Sequence, residues 1–313
     1  MTLRIYRAKA ALKHDLGAEH PESPDRLYAI DDQLLASGLD MVCEHADARP
    51  LAREYLSLAH APDYVEEIMN LAPESGSYWL DGDTGMVPAT LSAALQSAGA
   101  GCQAVDWVMA GDDRQAFCVT RPPGHHAEYD RAMGFCIFNN VAIAARYALQ
   151  TYQLKRVAIV DFDVHHGNGT EQIVAGDQRI LLCSSFQHPF YPHSGSPVLA
   201  SNILSVPLAA GCSGEEFRQQ VAHWLPALRH FQPELILISA GFDGHAEDPM
   251  AHLRLTTADY QWISRELRAV ADACCHGRIV SVLEGGYNLS ALGRSVVAHL
   301  RGLSGQSEAT AAD

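Results

Sequence analysis

The chain has 313 residues, with 22 basic against 37 acidic residues and a formal net charge of −15 at pH 7. That acidic balance argues against binding to nucleic-acid phosphates as the main activity. The sequence has no apolar run long enough to cross a membrane, no apolar signal core near Met1 and no Cys-x-x-Cys pair among its eight cysteines, so we expect a cytoplasmic protein with reduced thiols.

Apolar, β-branched runs alternate with helical patterns along the chain, which is typical of a single α/β domain built on a parallel sheet with helices on both faces. Strands are predicted at residues 3–6, 116–120, 156–160, 180–184, 235–239 and 279–283. Helices are predicted from Pro24 onward with Ser23 as the N-cap, and at residues 62–71, 89–110, 140–150, 215–230, 256–275 and 288–303. Residues 72–88 are expected to form a long loop, and residues 304–313 a flexible tail after a domain of residues 1–303.

The most unusual stretch, Asp-Phe-Asp-Val-His-His-Gly-Asn-Gly-Thr, covers residues 161–170 and follows a buried strand. Asp163 and His165 alternate with apolar residues, so in extended backbone their side chains face the same way. A carboxylate and an imidazole directed to one point can bind a divalent metal, and Asp243, after a later strand, completes a set of three ligands. Three protein ligands are typical of a catalytic metal site. The alternative is that each aspartate caps a turn.

Two histidines, His125 and His126, follow another strand after Pro-Pro-Gly. Asp161 and Asn168 can each accept a ring N–H from one of them and so fix its tautomer, although a histidine pair can also simply lie solvated on a loop. Tyr287 follows Gly285-Gly286, and its phenol can donate to a carbonyl oxygen that becomes an oxyanion, unless it only packs on the last helix. All these residues follow strands, and ligands bind at that edge of open α/β sheets.

Five motifs in this order resemble the zinc-dependent histone deacetylase family, which includes bacterial histone deacetylase-like amidohydrolases and acetylpolyamine amidohydrolases. They are Arg-Pro-Pro-Gly-His-His at 121–126, Gly-Phe-Cys at 134–136, Asp-x-Asp-x-His-His-Gly-Asn-Gly at 161–169, Gly-Phe-Asp at 241–243 and Glu-Gly-Gly-Tyr-Asn at 284–288. Asn168 and the Glu-Gly-Gly-Tyr motif resemble the class II branch. The resemblance implies the arginase–deacetylase fold with an eight-stranded parallel sheet, two strands more than the pattern predicts.

The resemblance also assigns roles. It implies Zn²⁺ on Asp163, His165 and Asp243, and His126 as general base and then acid. His125 paired with Asp161 would orient the water, and Tyr287 would polarise the scissile carbonyl. The family's substrate tunnel would comprise Phe135, Tyr191, Met250 and Gly285, although family members usually carry Phe at the position of Tyr191. A structural K⁺ would be held by Asp161, Asp163, His165, Ser184 and the carbonyl of Ser185. His166 receives no role.

The function implied is removal of acetyl or other short acyl groups from acyl-lysine, in a peptide, a protein or a small acylated amine. Met250 is uncharged where polyamine-selective relatives carry an acidic residue, which favours acyl-lysine over the alternative, an acetylpolyamine. A binuclear manganese hydrolase of the arginase type would require Asp-x-His-x-Asp runs, and a catalytically silent acyl-lysine-binding scaffold need not keep every catalytic residue. Asp81 and Asp83 are candidates to hold the substrate backbone. Nucleic acids and membranes are not expected partners, and a homo-oligomer is left open.

Overall fold

The computed structural model describes residues 2–305, in which eight strands form one parallel sheet and two short strands form an antiparallel pair. The strands are β1 (Thr2–Arg7), β2 (Glu44–Asp47), β3 (Tyr78–Trp79), β4 (Gly85–Met86), β5 (Arg114–Val119), β6 (Val157–Asp161), β7 (Ile180–Gln187), β8 (Ile203–Leu208), β9 (Leu235–Ala240) and β10 (Ile279–Leu283). The large sheet has the order β2-β1-β5-β10-β9-β6-β7-β8, and β3 pairs with β4 inside the expected long loop.

Two groups of α-helices surround the sheet. The helices are α1 (Asp25–Ala36), α2 (Arg53–Leu56), α3 (Pro62–Leu71), α4 (Thr90–Met109), α5 (Asn140–Thr151), α6 (Asn168–Val174), α7 (Gly214–Val221), α8 (Trp224–Phe231), α9 (Thr257–Cys274) and α10 (Leu289–Ser304). In one group α10 packs on both α1 and α9, and in the other α4 packs on α5. Among residues 2–305 no helix combines the length and the hydropathy that spanning a membrane would require.

The two strands that the sequence pattern missed, β2 and β8, are the two edges of the sheet. β2 is a polar Glu-His-Ala-Asp segment with mostly exposed side chains, so it has no apolar run to detect. β8 contains Pro207, which an edge strand tolerates because one side of its backbone has no partner strand. The six predicted strands are all correct, and four of them, β5, β10, β9 and β6, are adjacent in the middle of the sheet.

Two helix predictions need correction. Helix α1 begins at Asp25, with Pro24 as the capping residue, and makes no side-chain cap hydrogen bond through Ser23. The single helix predicted at 215–230 is two helices, α7 and α8, because Pro226 has no N–H and its ring would clash with the carbonyl of Ala222 in a continuous helix. The last helix continues through Ser304, the first residue of the expected tail, and the tail from residue 306 onward lies outside the described residues.

Other local predictions are confirmed. Asn288 caps α10, because its side-chain oxygen accepts the N–H of Ala291 at 3.0 Å. Helix α9 begins directly after Thr256, whose own N–H donates to the Asp259 carboxylate at 2.8 Å. All eight cysteines are free thiols, as expected for a chain without disulfides.

Candidate metal centre and active site

The loops after the four central strands carry the predicted site residues, and they meet at one edge of the sheet. His125 and His126 follow β5, the Asp163–His165 segment follows β6, Asp243 follows β9 and Tyr287 follows β10. The strands β5 and β6 are successive along this part of the chain but are separated in the sheet by β10 and β9. The crevice at such a reversal of strand order is where open α/β sheets bind ligands.

Asp163, His165 and Asp243 form a buried cluster whose ligand atoms lie within 4.8 Å of one another. Nδ1 of His165 is 3.2 Å from a carboxylate oxygen of Asp163 and 3.1 Å from one of Asp243. Burial acts to lower the pKa of His165, but hydrogen bonds to both carboxylates outweigh burial and raise it to about 10. Two buried carboxylates that stabilise a positive charge so strongly at one point form a site suited to a cation.

Backbone groups hold these carboxylates in place. The N–H of Val164 donates to Asp243 at 3.0 Å, and the N–H of Gly285 donates to Asp163 at 2.8 Å. A β-carbon at Gly285 would lie 2.0 Å from an oxygen of Asp243, so only glycine fits this close approach. Gly285 was expected in the tunnel wall. It lies instead against the carboxylates of Asp163 and Asp243 and does not line the cavity that contains Phe135 and Tyr287.

The two histidines have different partners, as the sequence suggested. Nδ1 of His125 is 3.0 Å from the Asp161 carboxylate, and Nδ1 of His126 is 2.8 Å from the side-chain oxygen of Asn168. The amide nitrogen of Asn168 donates to Glu128 at 2.6 Å, so its oxygen must face His126, and His126 must donate from Nδ1. The free Nε2 of His126 is thereby left to act on a substrate.

The pKa values of the two histidines shift in opposite directions. Burial acts to lower the pKa of His125, but the carboxylates of Asp163 and Asp161 raise it well above the ordinary value. Burial lowers the pKa of His126 far below the ordinary value, and the neighbouring His125 and His165 lower it further. Opposite shifts in one site separate a group that stays protonated from a group that can accept a proton.

Tyr287 lies in the wall of a cavity of about 240 Å³ that reaches His165 of the buried cluster. Its ring centre is 5.9 Å from that of Phe135, with the two rings nearly perpendicular. Predicted tunnel residues Phe135, Tyr191 and Met250 also line the cavity. The remaining lining residues are Asp83, His126, Gly134, His165 and Phe190. A narrow cavity with aromatic walls suits a linear aliphatic chain that leads a polar group to the cluster.

The two candidate aspartates of the long loop have different positions. Asp83 faces the cavity, whereas Asp81 accepts the N–H groups of Asp83 at 3.0 Å and Thr84 at 2.7 Å and so holds the turn. Asp83 is therefore the one that can reach a substrate.

Several residues at the site were not predicted. The buried Glu284 carboxylate accepts the N–H groups of Gly124 at 2.7 Å and His125 at 3.1 Å, and so supports the loop of the two histidines. Burial raises the pKa of Glu284 to about 7. Asp248 accepts the N–H of Tyr287 at 2.7 Å, and Phe190 stacks on His165 at 5.5 Å. The position of Glu284 at the end of a buried strand, directly before Gly-Gly-Tyr, was the sequence signal that could have indicated a buried carboxylate at the site.

The residues expected to hold a monovalent cation are also buried. Ser184 pairs with Asp161 across β7 and β6, and Ser185 follows it in β7. Within residues 2–305 the hydroxyl oxygen of Ser184 is buried without a hydrogen-bond partner. A buried unpaired hydroxyl costs free energy, so a ligand at this point would relieve that cost.

Comparisons with known proteins show which family the chain resembles. A family model described as the histone deacetylase domain matches residues 20–303. Over 311 residues the chain is 39% identical to an uncharacterised protein of Synechocystis, covering 97% of this chain and 99% of that protein. It is 38% identical to chloroplastic histone deacetylase 14 of Arabidopsis thaliana, covering 96% of this chain and 77% of that one. The expectation of a cytoplasmic location stays a prediction.

Two further similarities concern a bacterial enzyme and a solved structure. The chain is 36% identical to a histone deacetylase-like amidohydrolase of Pseudomonas aeruginosa, covering 87% of this chain and 73% of that protein. The crystal structure of the HDA15 HD domain superposes with a TM-score of 0.89 at 32% identity, covering 98% of this chain and 90% of that one. The expected arginase–deacetylase fold is confirmed, and the chain belongs to the histone deacetylase family of hydrolases.

Proposed function

We propose that this protein is a zinc-dependent hydrolase that removes acetyl or other short acyl groups from the side-chain amine of acyl-lysine. The observation that carries the proposal is the convergence of a three-ligand cluster, a histidine with a free Nε2 and a tyrosine around one narrow cavity. Each of these parts lowers the barrier to amide hydrolysis, because an amide is a weak electrophile and has a poor leaving group.

The residues present fit a divalent metal. Asp163, His165 and Asp243 each offer one ligand atom to a common point, and a carboxylate, carboxylate and imidazole set suits Zn²⁺ or Fe²⁺. A cation there would balance the buried carboxylates without a protonated His165. Bound at this point, the ion supplies Lewis-acid polarisation of an amide carbonyl and lowers the pKa of water. We propose a K⁺ at Asp161, Ser184 and the Ser185 carbonyl, on the strength of the unpaired Ser184 hydroxyl.

The protein's own groups then move the protons and stabilise charge. Nε2 of His126 takes the proton of the attacking water and delivers it to the departing amine nitrogen. His125, kept protonated by Asp163 and Asp161, orients the water. The Tyr287 hydroxyl donates a hydrogen bond to the carbonyl oxygen as negative charge develops on it. Asn168 holds His126 in the tautomer that this transfer requires.

The cavity favours acyl-lysine as the substrate. Its wall contains Phe135, Phe190, Tyr191 and Met250, which contact a butyl chain well and offer no charge to a second amine. Asp83 is the acidic residue in the lining of this cavity. It is the observation that favours the second candidate, an acylpolyamine, because its carboxylate can pair with the next ammonium group of that substrate.

One experiment decides among these functions. The purified protein is loaded with Zn²⁺, its metal content is measured, and turnover is assayed with acetyl-lysine and longer acyl-lysine peptides and with acetylspermidine. We expect kcat/KM for an acetyl-lysine peptide to exceed that for acetylspermidine, and chelation to abolish turnover. The reverse preference would select the polyamine function. Absence of acid release from every substrate at full metal occupancy would leave the non-catalytic scaffold.

A further inference from the structure

His166, the residue of the 161–170 stretch without a role, does not line the cavity. Its ring packs on Phe186 with 4.5 Å between ring centres. Nδ1 lies 2.8 Å from the hydroxyl oxygen of Ser194, and Nε2 contacts the carboxylate of Glu171. His166 and Glu171 are almost fully buried, at 3% and 1% exposure. A buried histidine and carboxylate in contact keep each other's positions well defined.

Glu171, in α6, has a second partner in the loop that contains Ser194. Its other carboxylate oxygen accepts the N–H of Leu199 at 2.9 Å. Ser194 and Leu199 both belong to the segment 188–202, which connects β7 to β8 without regular secondary structure. We call His166, Glu171, Ser194 and the Leu199 N–H the latch. The latch fastens this segment at two points to the stretch that begins with the metal ligands.

The close approach of the segment at Gly195 supports the same attachment. Gly195 has a φ of +92°, and a β-carbon there would lie 2.5 Å from the ring of Phe186 and 2.9 Å from that of His166. The backbone therefore passes directly over the two rings, which only glycine permits in this conformation. Long irregular segments of this kind usually have a functional part, and ordering them costs conformational entropy that local contacts must offset.

The fastened segment carries the aromatic wall of the cavity. Phe190 stacks on the ring of the metal ligand His165, with 5.5 Å between centres and an angle of 19° between planes. Tyr191 meets His126 edge-on at 5.3 Å. Neither ring belongs to a helix or strand, so their positions depend on these ring contacts, on the contact of Phe190 with His252, and on where the segment is attached. The latch lies three residues beyond Tyr191, at Ser194, and again at Leu199.

We propose that the latch is a specificity device: His166 and Glu171 are positioning residues that set the width of the cavity at Phe190 and Tyr191 and thereby the thickness of the side chain accepted on the amine side of the scissile amide. The proposal rests on the proposed function, because it concerns the substrate of the same cavity. Loss of the latch lets the two rings move apart, so a branched amine-side chain gains relative to the straight chain of lysine. A purely structural role would lower stability and leave this preference unchanged.

Two variants test the proposal with little risk to folding. Ser194→Ala removes the hydroxyl partner of His166 on the loop. Glu171→Gln keeps an oxygen for the Leu199 N–H and replaces the carboxylate that His166 contacts. The matched control is Val198→Ala, since Val198 is in the same segment, 45% exposed and outside the latch. For each protein we would measure zinc content, thermal stability, hydrogen exchange of amides 188–199, and kcat/KM for peptides that carry acetyl-lysine or acetyl-γ-methyllysine.

We expect both latch variants to exchange faster at 188–199 and to raise the γ-methyllysine-to-lysine ratio of kcat/KM by about tenfold, mainly through KM, the scale on which a cavity discriminates one methyl group. The control should stay within about twofold on the same scale. Faster exchange with an unchanged ratio would overturn the proposal, and so would unchanged exchange.

A readout without turnover separates this proposal from the proposed function. Pentyl hydroxamates with a straight or a γ-branched chain would chelate the zinc and place that chain between Phe190 and Tyr191, so the ratio of their affinities by calorimetry reports cavity width directly. If the wild-type protein hydrolyses no acylated amine, the proposed function fails, and the latch is judged on whether Ser194→Ala shifts this ratio toward the branched hydroxamate. An identical ratio in variant and wild type would refute the latch.

Discussion

The guanidinium of Arg26 lies over the ring of Tyr287, with 5.0 Å between its central carbon and the ring centre. The same group donates to the carbonyl of Gly286 at 2.7 Å and to that of Glu284 at 2.5 Å. Arg26 is fully buried, so these contacts are formed away from solvent. A residue of the first helix thus fixes both the backbone and the ring of the segment that carries the proposed oxyanion donor.

We expect Arg26→Lys to lower kcat with an acetyl-lysine peptide by about 10²-fold, because a small misplacement of a catalytic group has costs of that order. Lysine keeps the charge but has no planar fork with which to bind two carbonyls. Tyr287 would lose its alignment while the metal ligands stay in place. The measurement is kcat together with zinc content. Full zinc content with unchanged kcat would show that Arg26 serves stability alone.

Tyr287→Phe tests the hydroxyl itself. It should lower kcat by about 10²–10³, as the loss of one oxyanion donor does. The ring contact with Phe135 and the backbone bond to Asp248 do not involve the hydroxyl, so the cavity and the fold should persist. Steady-state kinetics with an acetyl-lysine peptide gives the result, and near wild-type turnover would remove Tyr287 from the mechanism.

Asn168→Asp, made together with Glu128→Gln so that the new carboxylate meets an amide donor in place of a second carboxylate, changes the charge beside His126 without changing the shape of the side chain. An anionic partner 2.8 Å from Nδ1 favours the protonated imidazole, so the pKa of His126 rises. As the pH falls, His126 in the variant therefore takes up its proton at a higher pH than in the wild type. The acid limb of the kcat/KM profile should move to higher pH by about one pH unit or more. A pH profile is independent of the fraction of protein that folds. An unmoved acid limb would exclude His126 as the base.

The sequence predicted the centre of this molecule much better than its periphery. Strands buried on both faces are continuous apolar runs, and the polar residues of the site follow them directly. The strands β5, β6, β9 and β10 and the cluster of Asp163, His165 and Asp243 could therefore be located from local pattern. The edge strands β2 and β8 bury less and give no such run. Their absence from the prediction is a consequence of solvent exposure.

The supporting residues were missed for a different reason. Arg26 and the carbonyl of Gly286 that it binds are 260 positions apart, and no spacing in the sequence indicates that they meet. From the sequence alone, Asp248 and Glu284 cannot be told from acidic residues on the surface. Asp248 nevertheless accepts the N–H of Tyr287, and Glu284 accepts the N–H of Gly124 in the loop of the two histidines. Tyr191 was predicted in the cavity wall and its neighbour Phe190 was not. The directions of two adjacent rings depend on the backbone conformation of the loop, which the sequence pattern does not give.

His60 gives a prediction about acid stability. Its Nδ1 donates to the Glu128 carbonyl at 2.9 Å, and its Nε2 accepts the N–H of Asn139 at 2.8 Å, so the neutral ring is fully paired. Burial lowers the pKa of His60 to about 4, against about 6.5 in the unfolded chain. Between these values only the unfolded chain binds the proton, so stability falls as pH decreases through this window.

His60→Gln supplies a donor and an acceptor without a titrating group. From pH 7.5 to 5.0 the wild-type protein should therefore lose about 2 kcal/mol more of its free energy of unfolding than the variant does. Urea denaturation at the two pH values measures this difference. His230→Gln, at an exposed position, is the control and should follow the wild type. Parallel losses in wild type and His60→Gln would mean that His60 is protonated in the folded chain at pH 5.0, and that Asn139 has released it.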